Sequence, residues 1–207
     1  MQLRDYQETL VSDNILAMDR GVKGTLNHLF TGAGKTVCFV TLADRIQGRT
    51  LIMCHQRELV WQTVNKVREI CESDPGIEMA DYVSDEDDMF PTKIVVACYP
   101  TLIKKRGGEY RYRRFKDISL VIVDEAHVIC SPAAVEMLRW FQDQGAMVAG
   151  FTATPFRMDG KPMLRRAECS STNSSSVDST CSGQSPTDGQ FPPSVSYQES
   201  MDLTFPW

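Results

Sequence analysis

Thr31-Gly32-Ala33-Gly34-Lys35-Thr36 decides how the rest of this chain is read. It follows a short apolar run, Thr25 to Phe30, that predicts a strand, and precedes Val37 to Ile46, which predicts a helix. Strand, glycine loop and helix in that order are what a phosphate-binding loop requires. Gly32 and Gly34 let the backbone turn sharply and bring its N–H groups against an anion. The helix N-terminus adds partial positive charge at the same place. Lys35 is expected to reach the outer phosphates of a nucleotide, and the Thr36 hydroxyl to hold a magnesium ion. The longer form of this pattern carries a glycine five positions before Gly34, where Leu29 stands instead.

A phosphate loop needs a carboxylate to manage the metal. Leu120-Val121-Ile122-Val123, the strongest strand signal, runs directly into Asp124-Glu125-Ala126-His127. An acid at the C-terminal end of a buried parallel strand lies on the rim that also carries the loop. Asp124 is therefore expected to hold magnesium through water, and Glu125 to polarise the attacking water.

Around these stretches the chain alternates. A helix is expected over residues 5 to 20, with Tyr6, Leu10, Ile15, Leu16 and Met18 apolar and Gly21 ending it. Thr50 to Cys54 and Lys93 to Cys98 predict strands, Ile77 to Val83 a weaker one, and Gln56 to Cys71 a helix. Ser131 and Pro132 open another helix as cap and first-turn residue, and Ala146 to Phe151 closes the pattern as a strand. Buried strands alternating with helices predict an α/β fold, a parallel sheet covered on both faces.

The chain has 207 residues, a net charge of −5 and 42% hydrophobic residues, so a globular fold is expected and the global field does not attract nucleic acid. A local exception is the segment from Lys104 to Lys116, with seven Lys or Arg, one acid (Glu109) and two tyrosines. It reads either as a solvated loop or as a phosphate-backbone contact. The seven cysteines contain no CxxC pair, which predicts reduced thiols of a cytoplasmic or nuclear protein rather than a zinc site. No apolar stretch approaches the length that spans a membrane. After Arg166 the composition turns rich in Ser, Thr, Pro, Gly and Gln, so residues 1–166 are expected to form the domain and 167–207 a disordered tail.

Residues 1 to about 166 resemble the first motor domain of a superfamily 2 helicase of the DEAH-box-like kind, a RecA-like P-loop NTPase. The motifs that carry the resemblance come in the family's order. Leu3-Arg4-Asp5-Tyr6-Gln7 resembles the adenine-reading segment, which implies that Gln7 bonds the base edge and that Arg4 or Tyr6 supports it. Leu29 to Thr36 resembles the family's own phosphate loop, which also lacks the early glycine; Thr31, Gly32, Ala33, Gly34, Lys35 and Thr36 would then bind ATP. His55 to Gln62 and Tyr99 to Leu102 resemble strand-contacting motifs, implying nucleic-acid contacts at Arg57 and Thr101. Asp124 to His127 spells DEAH, and Thr152-Ala153-Thr154-Pro155 resembles the motif linking nucleotide state to strand movement, so His127, Thr152 and Thr154 would couple the two.

The resemblance implies ATP and magnesium as cofactors and nucleic acid, DNA rather than RNA, as partner. Such motors close ATP between two RecA-like domains, and nothing after Arg166 resembles the second. The chain is thus expected to be the ATP-binding half of a helicase or translocase, slow on its own and completed by a chain supplying the other domain. Two rival readings are a truncated binding module without turnover and the motor part of a restriction endonuclease subunit. For the latter, no nuclease carboxylate–lysine cluster stands in the sequence.

Overall fold

The computed structural model describes residues 2–84, 91–129 and 131–153, together with the backbone of 196 and 197. Its centre is a sheet in the order β3-β4-β2-β7-β8-β1-β9. The strands are β1 (Gly24–His28), β2 (Arg49–Cys54), β3 (Gly76–Glu78), β4 (Ile94–Cys98), β7 (Ile118–Asp124), β8 (Met147–Thr152) and β9 (Ser196–Tyr197). The first six of these in sequence pair parallel, as the alternating pattern requires. The short edge strand β9 adds antiparallel to β1, pairing Leu26 with Tyr197. That pairing was not expected within a disordered tail; the rest of 167–207, like the proposed boundary at 166, lies outside the described residues.

Every residue of β4 and β8 is buried, because helices cover both faces. Alternate strand residues point to opposite sides. Ile52, Val96, Ile122 and Ala149 pack under α1 (Asp5–Asp19), α2 (Lys35–Arg45) and α3 (Arg57–Cys71). Leu51, Val95, Val121 and Val148 face α5 (Pro132–Asp143) on the other side. Ser131 caps α5 as expected, its hydroxyl accepting the Ala134 N–H at 3.3 Å, with Pro132 in the first turn.

Three local expectations shift. In α1 the buried positions are Gln7, Leu10, Val11, Asn14 and Ala17, whereas Leu16 is 47% exposed. Tyr6, Ile15 and Met18 pack against the core as partly buried residues, and the fully buried stripe adds two polar residues that a search for apolar residues alone misses. Asn14 is retained there because its amide bonds Asn27 at 2.8 Å and accepts the Thr25 hydroxyl at 2.7 Å, tying α1 to β1. The strand expected at 77–83 stops at Glu78. Beyond it the Met79–Tyr82 turn closes on itself with backbone bonds of 3.0 and 2.8 Å.

The basic segment is not a plain loop. It holds a hairpin of β5 (Lys105–Arg106) and β6 (Glu109–Tyr110), then a 3-10 turn over Arg111–Arg114. Gly107 and Gly108, at φ 61° and 91°, form the two-residue connection that only left-handed backbone permits. A four-residue helix, α4 (Tyr99–Leu102), links β4 to this hairpin.

Candidate active site

In a parallel sheet, all strands end on the same rim. β1 delivers Thr31 to Thr36 to that rim, β7 delivers Asp124 and Glu125, and β8 delivers Thr152. The Leu29 N–H donates to the Thr152 carbonyl at 3.0 Å, so the entry to the loop is tied to the end of β8. Gly32 and Gly34 both take left-handed conformations, at φ 86° and 79°. Gly34 is the residue immediately before α2, which starts at Lys35, two residues earlier than the sequence pattern placed it. A Cβ at Gly34 would stand 2.6 Å from the Gln7 amide nitrogen, so a side chain there would push Gln7 away from the loop in addition to straining the left-handed backbone.

The loop is held from behind by α1. The Ala33 carbonyl accepts from the Tyr6 hydroxyl at 2.8 Å and from Gln7 Nε2 at 3.0 Å. Gln7 Oε1 accepts the Arg4 backbone N–H at 3.0 Å. Gln7 is thus buried and engaged at both ends, and Tyr6 takes a share in positioning the loop that its sequence alone does not disclose. Arg4 donates to the Tyr6 hydroxyl at 3.3 Å.

The two halves of the site meet directly. Lys35 Nζ donates to Glu125 Oε1 across 90 positions of sequence. Glu125 sits at φ 51°, a left-handed conformation costly for a residue with a Cβ and held here by the strand end. Its other carboxylate oxygen is buried without a hydrogen bond, 3.4 Å from His127 Nδ1. His127 Nδ1 in turn lies 2.9 Å from the Thr152 hydroxyl, joining the end of β7 to the end of β8. Asp124 Oδ1 accepts the Glu125 N–H at 3.0 Å. Burial, and next the charge of Glu125, hold the Asp124 carboxyl above the usual aspartate range.

The raised Asp124 pKa carries a stability consequence. A carboxyl whose folded pKa exceeds its unfolded one favours the fold when protonated. That contribution is complete below the unfolded pKa and lost as pH rises through the raised folded value. Asp124→Asn is therefore expected to melt a few degrees higher than wild type at pH 7, at about 2–4 °C per kcal/mol for a chain of this size. The gap should narrow as pH falls below the folded pKa, which thermal melts at several pH values will read.

A metal would find few ready ligands here. Among the described residues no three His, Cys, Asp or Glu are arranged so that together they could hold a metal ion. Asp124 and the half-buried Thr36 are the oxygen donors beside the loop, which suits an ion that keeps waters and shares phosphate oxygens rather than one caged by protein.

The remaining sequence expectations separate. Arg57 is exposed at the first turn of α3. Thr101 is buried, and its hydroxyl accepts the Ala80 N–H at 3.2 Å, an internal bond that holds the Met79–Tyr82 turn. Thr154 lies outside the described residues. Two of the seven basic residues of the 104–116 segment turn inward. Arg111 Nε donates to Glu78 at 2.7 Å and Arg114 pairs with the other Glu78 oxygen, with Glu78 wholly buried. An acid flanked by Ile77 and Met79 in an apolar strand was the available signal for this anchor. Cys38, Cys54 and Cys98 are free and buried, and burial pushes the Cys54 thiol up to about 12. Among the described residues no helix is long and apolar enough to cross a membrane.

A phosphate loop after β1, facing a carboxylate pair at the end of β7, two strands away, defines the first RecA-like domain of a superfamily 2 helicase-type motor. The chain belongs to the family described as type III restriction enzyme, res subunit, which it matches over residues 1–157. It is 32% identical over 176 residues to the Schizosaccharomyces pombe protein irc3, which carries an ATP-dependent helicase name; the match covers 78% of this chain and 27% of that protein. It is 31% identical over 170 residues to the helicase/translocase subunit XPB/SSL2 of the Saccharomyces cerevisiae general transcription and DNA repair factor IIH, covering 77% of this chain and 19% of that one. The fold is similar to that of the UvsW helicase from bacteriophage T4, with a TM-score of 0.59 at 18% identity over 78% of this chain and 55% of that one. The chain spans about a quarter of the length of the irc3 relative.

Proposed function

We propose that this chain binds ATP with magnesium at Thr31–Thr36 and, completed by a second RecA-like domain, couples hydrolysis to movement along DNA. The observation that carries the reading is the Lys35–Glu125 contact, which brings the phosphate loop and the carboxylate pair together on one rim. Lys35 would exchange Glu125 for the outer phosphates. The loop N–H groups and the α2 N-terminus would take the inner ones. Thr36 and Asp124 would hold magnesium, which when bound neutralises charge on the phosphate oxygens. Glu125, once released by Lys35, would have its Oε1 free to orient the attacking water. Gln7 and Arg4 would support the base, through a rearrangement that opens one of the Gln7 bonds.

The path from Glu125 through His127 to Thr152 gives nucleotide state a route to β8, beyond which Thr154 stands. Arg57 and Thr101 are the proposed strand contacts, Thr101 through the turn its hydroxyl supports. DNA is favoured because the XPB/SSL2 relative is named for DNA repair. The buried thiols favour a reducing, intracellular compartment. The partner domain would supply transition-state charge, worth about 10³–10⁵ in rate for related phosphoryl transfers, so this part alone would turn over slowly. The family's name keeps the restriction-motor reading as the second one.

The test is titration with a fluorescent ATP analogue, with magnesium and with EDTA, followed by phosphate release with and without DNA. Magnesium-dependent binding and slow, DNA-responsive release are expected. No binding at millimolar nucleotide would overturn the proposal.

A further inference from the structure

Two polar atoms are buried at the site rim with no hydrogen-bond partner among the described residues: Nδ1 of His55 and Oε2 of Glu125. A native interior seldom leaves such groups unpaired, because each then bears the whole cost of leaving water. One is a ring nitrogen that can donate, the other a carboxylate oxygen that accepts.

The sheet sets the two residues level. β2 and β7 run parallel, with Ile52 paired to Ile122 and Met53 to Val123. Two positions beyond the last pair stand His55 and Glu125. Neighbouring strands lie about 5 Å apart, so matched residues at their ends share one small space. The electrostatics agree with that register. After burial, the charge of Asp124 helps to raise the Cys54 thiol. Asp124 itself, held up by burial and by Glu125, is drawn down by Lys35 and in smaller part by His55. On the other flank of Glu125 stands His127, 3.4 Å from Oε2, with its Nδ1 against the Thr152 hydroxyl at 2.9 Å.

In this structure Lys35 neutralises Glu125 through Oε1. A nucleotide that draws Lys35 to its phosphates leaves a partly buried carboxylate beside a second acid, Asp124, and such a group needs a donor. We infer that His55 is the positioning residue that takes Glu125 over when Lys35 leaves: its Nδ1–H donates to Oε2, and Oε1 is left to orient the attacking water. A carboxylate held by one oxygen presents the other in one direction, and a group that orients water acts only when aimed. The role requires no contact with nucleic acid. It deepens the proposed reading of Glu125 and rests on it.

The first measurement needs no nucleotide. The full chain, labelled with nitrogen-15 in its histidines, is compared as wild type and Lys35→Ala by NMR at about pH 8, where an ordinary imidazole is neutral, with circular dichroism melts as a check of folding. Removing the ammonium releases Glu125, so the His55 Nδ1 resonance is expected to move to its protonated, hydrogen-bonded position. The movement should vanish when Glu125→Ala is added. An unmoved resonance, or the same movement in the double variant, would overturn the contact. The second measurement is single-turnover phosphate release with DNA present. His55→Ala is expected to slow it about 10- to 100-fold while affinity for the ATP analogue holds within about 2-fold. His55→Asn, whose amide nitrogen takes the Nδ1 position, should restore most of the rate, and His55→Gln, whose nitrogen stands at the Nε2 position, should not. In a Glu125→Gln background, His55→Ala should add little. Wild-type-like release in His55→Ala, equal rescue by Asn and Gln, or a full further loss in the Glu125→Gln background would each sink the role. A wild type that binds the analogue but releases no phosphate would overturn the reading of Glu125 and this role with it, and the resonance comparison would separate that failure from a wrong contact.

Discussion

Lys35→Ala is expected to weaken binding of an ATP analogue about 10- to 100-fold, and Glu125→Gln to leave it as tight or tighter while turnover falls about 10²- to 10⁴-fold. The opposite signs follow from one contact. In the structure Lys35 is held by Glu125, so a phosphate must displace that carboxylate before it gains the ammonium. Removing the ammonium removes a charge-assisted bond worth about 1.5–3 kcal/mol. Neutralising Glu125 weakens the competitor and frees Lys35, but takes away the group that would orient water. Titration of both variants with the analogue, beside phosphate release in the presence of DNA, reads the two effects separately. Parallel losses of affinity in both variants would show that the pair acts as a unit in folding the loop and not as an exchange partner for phosphate.

The second large effect concerns stability. Glu78→Ala is expected to destabilise the domain by about 3–5 kcal/mol, because it leaves the Arg111 and Arg114 guanidiniums facing an empty buried site. Glu78 is completely buried, so its charge is tolerable only because both arginines and the Ser84 N–H, at 3.1 Å, satisfy it. At about 2–4 °C per kcal/mol the melting temperature should fall by roughly 6–20 °C. Glu78→Ala combined with Arg111→Ala should lose less than the sum of the two single losses, since each leaves the other's charge stranded. Additive melting shifts would place the stabilising role of this network elsewhere. The variant is also expected to loosen the Met79–Tyr82 turn, which Arg111 holds, without touching binding of the ATP analogue.

Much of the candidate site's geometry was legible in the chain because it is local. Gly32, Gly34, Lys35 and Thr36 work through a turn and the helix that follows it, and their order alone predicts that turn. Asp124 and Glu125 were legible because an unbroken apolar run identifies a buried parallel strand, and such a strand delivers its last residues to a known rim. Gln7 was recognisable only by resemblance. Its actual partners, the Ala33 carbonyl and the Arg4 N–H, depend on how α1 packs behind the loop. The basic segment was legible only in part, for a related reason. Composition counts charges but does not tell Lys105, which faces water, from Arg111, which is folded back onto Glu78.

What the amino-acid order determined by itself is the alternation of strands and helices, the loop that turns on two glycines, and the acids waiting at the end of β7. These depend on periodicity, backbone freedom and neighbours within a few residues. Only the tertiary structure decided that Lys35 rests on Glu125, that Glu78 gathers two arginines, and that His127 meets Thr152. Each of those pairs residues from different elements. Which elements become neighbours is settled by strand order and by the faces the helices cover, and no run of adjacent residues encodes either.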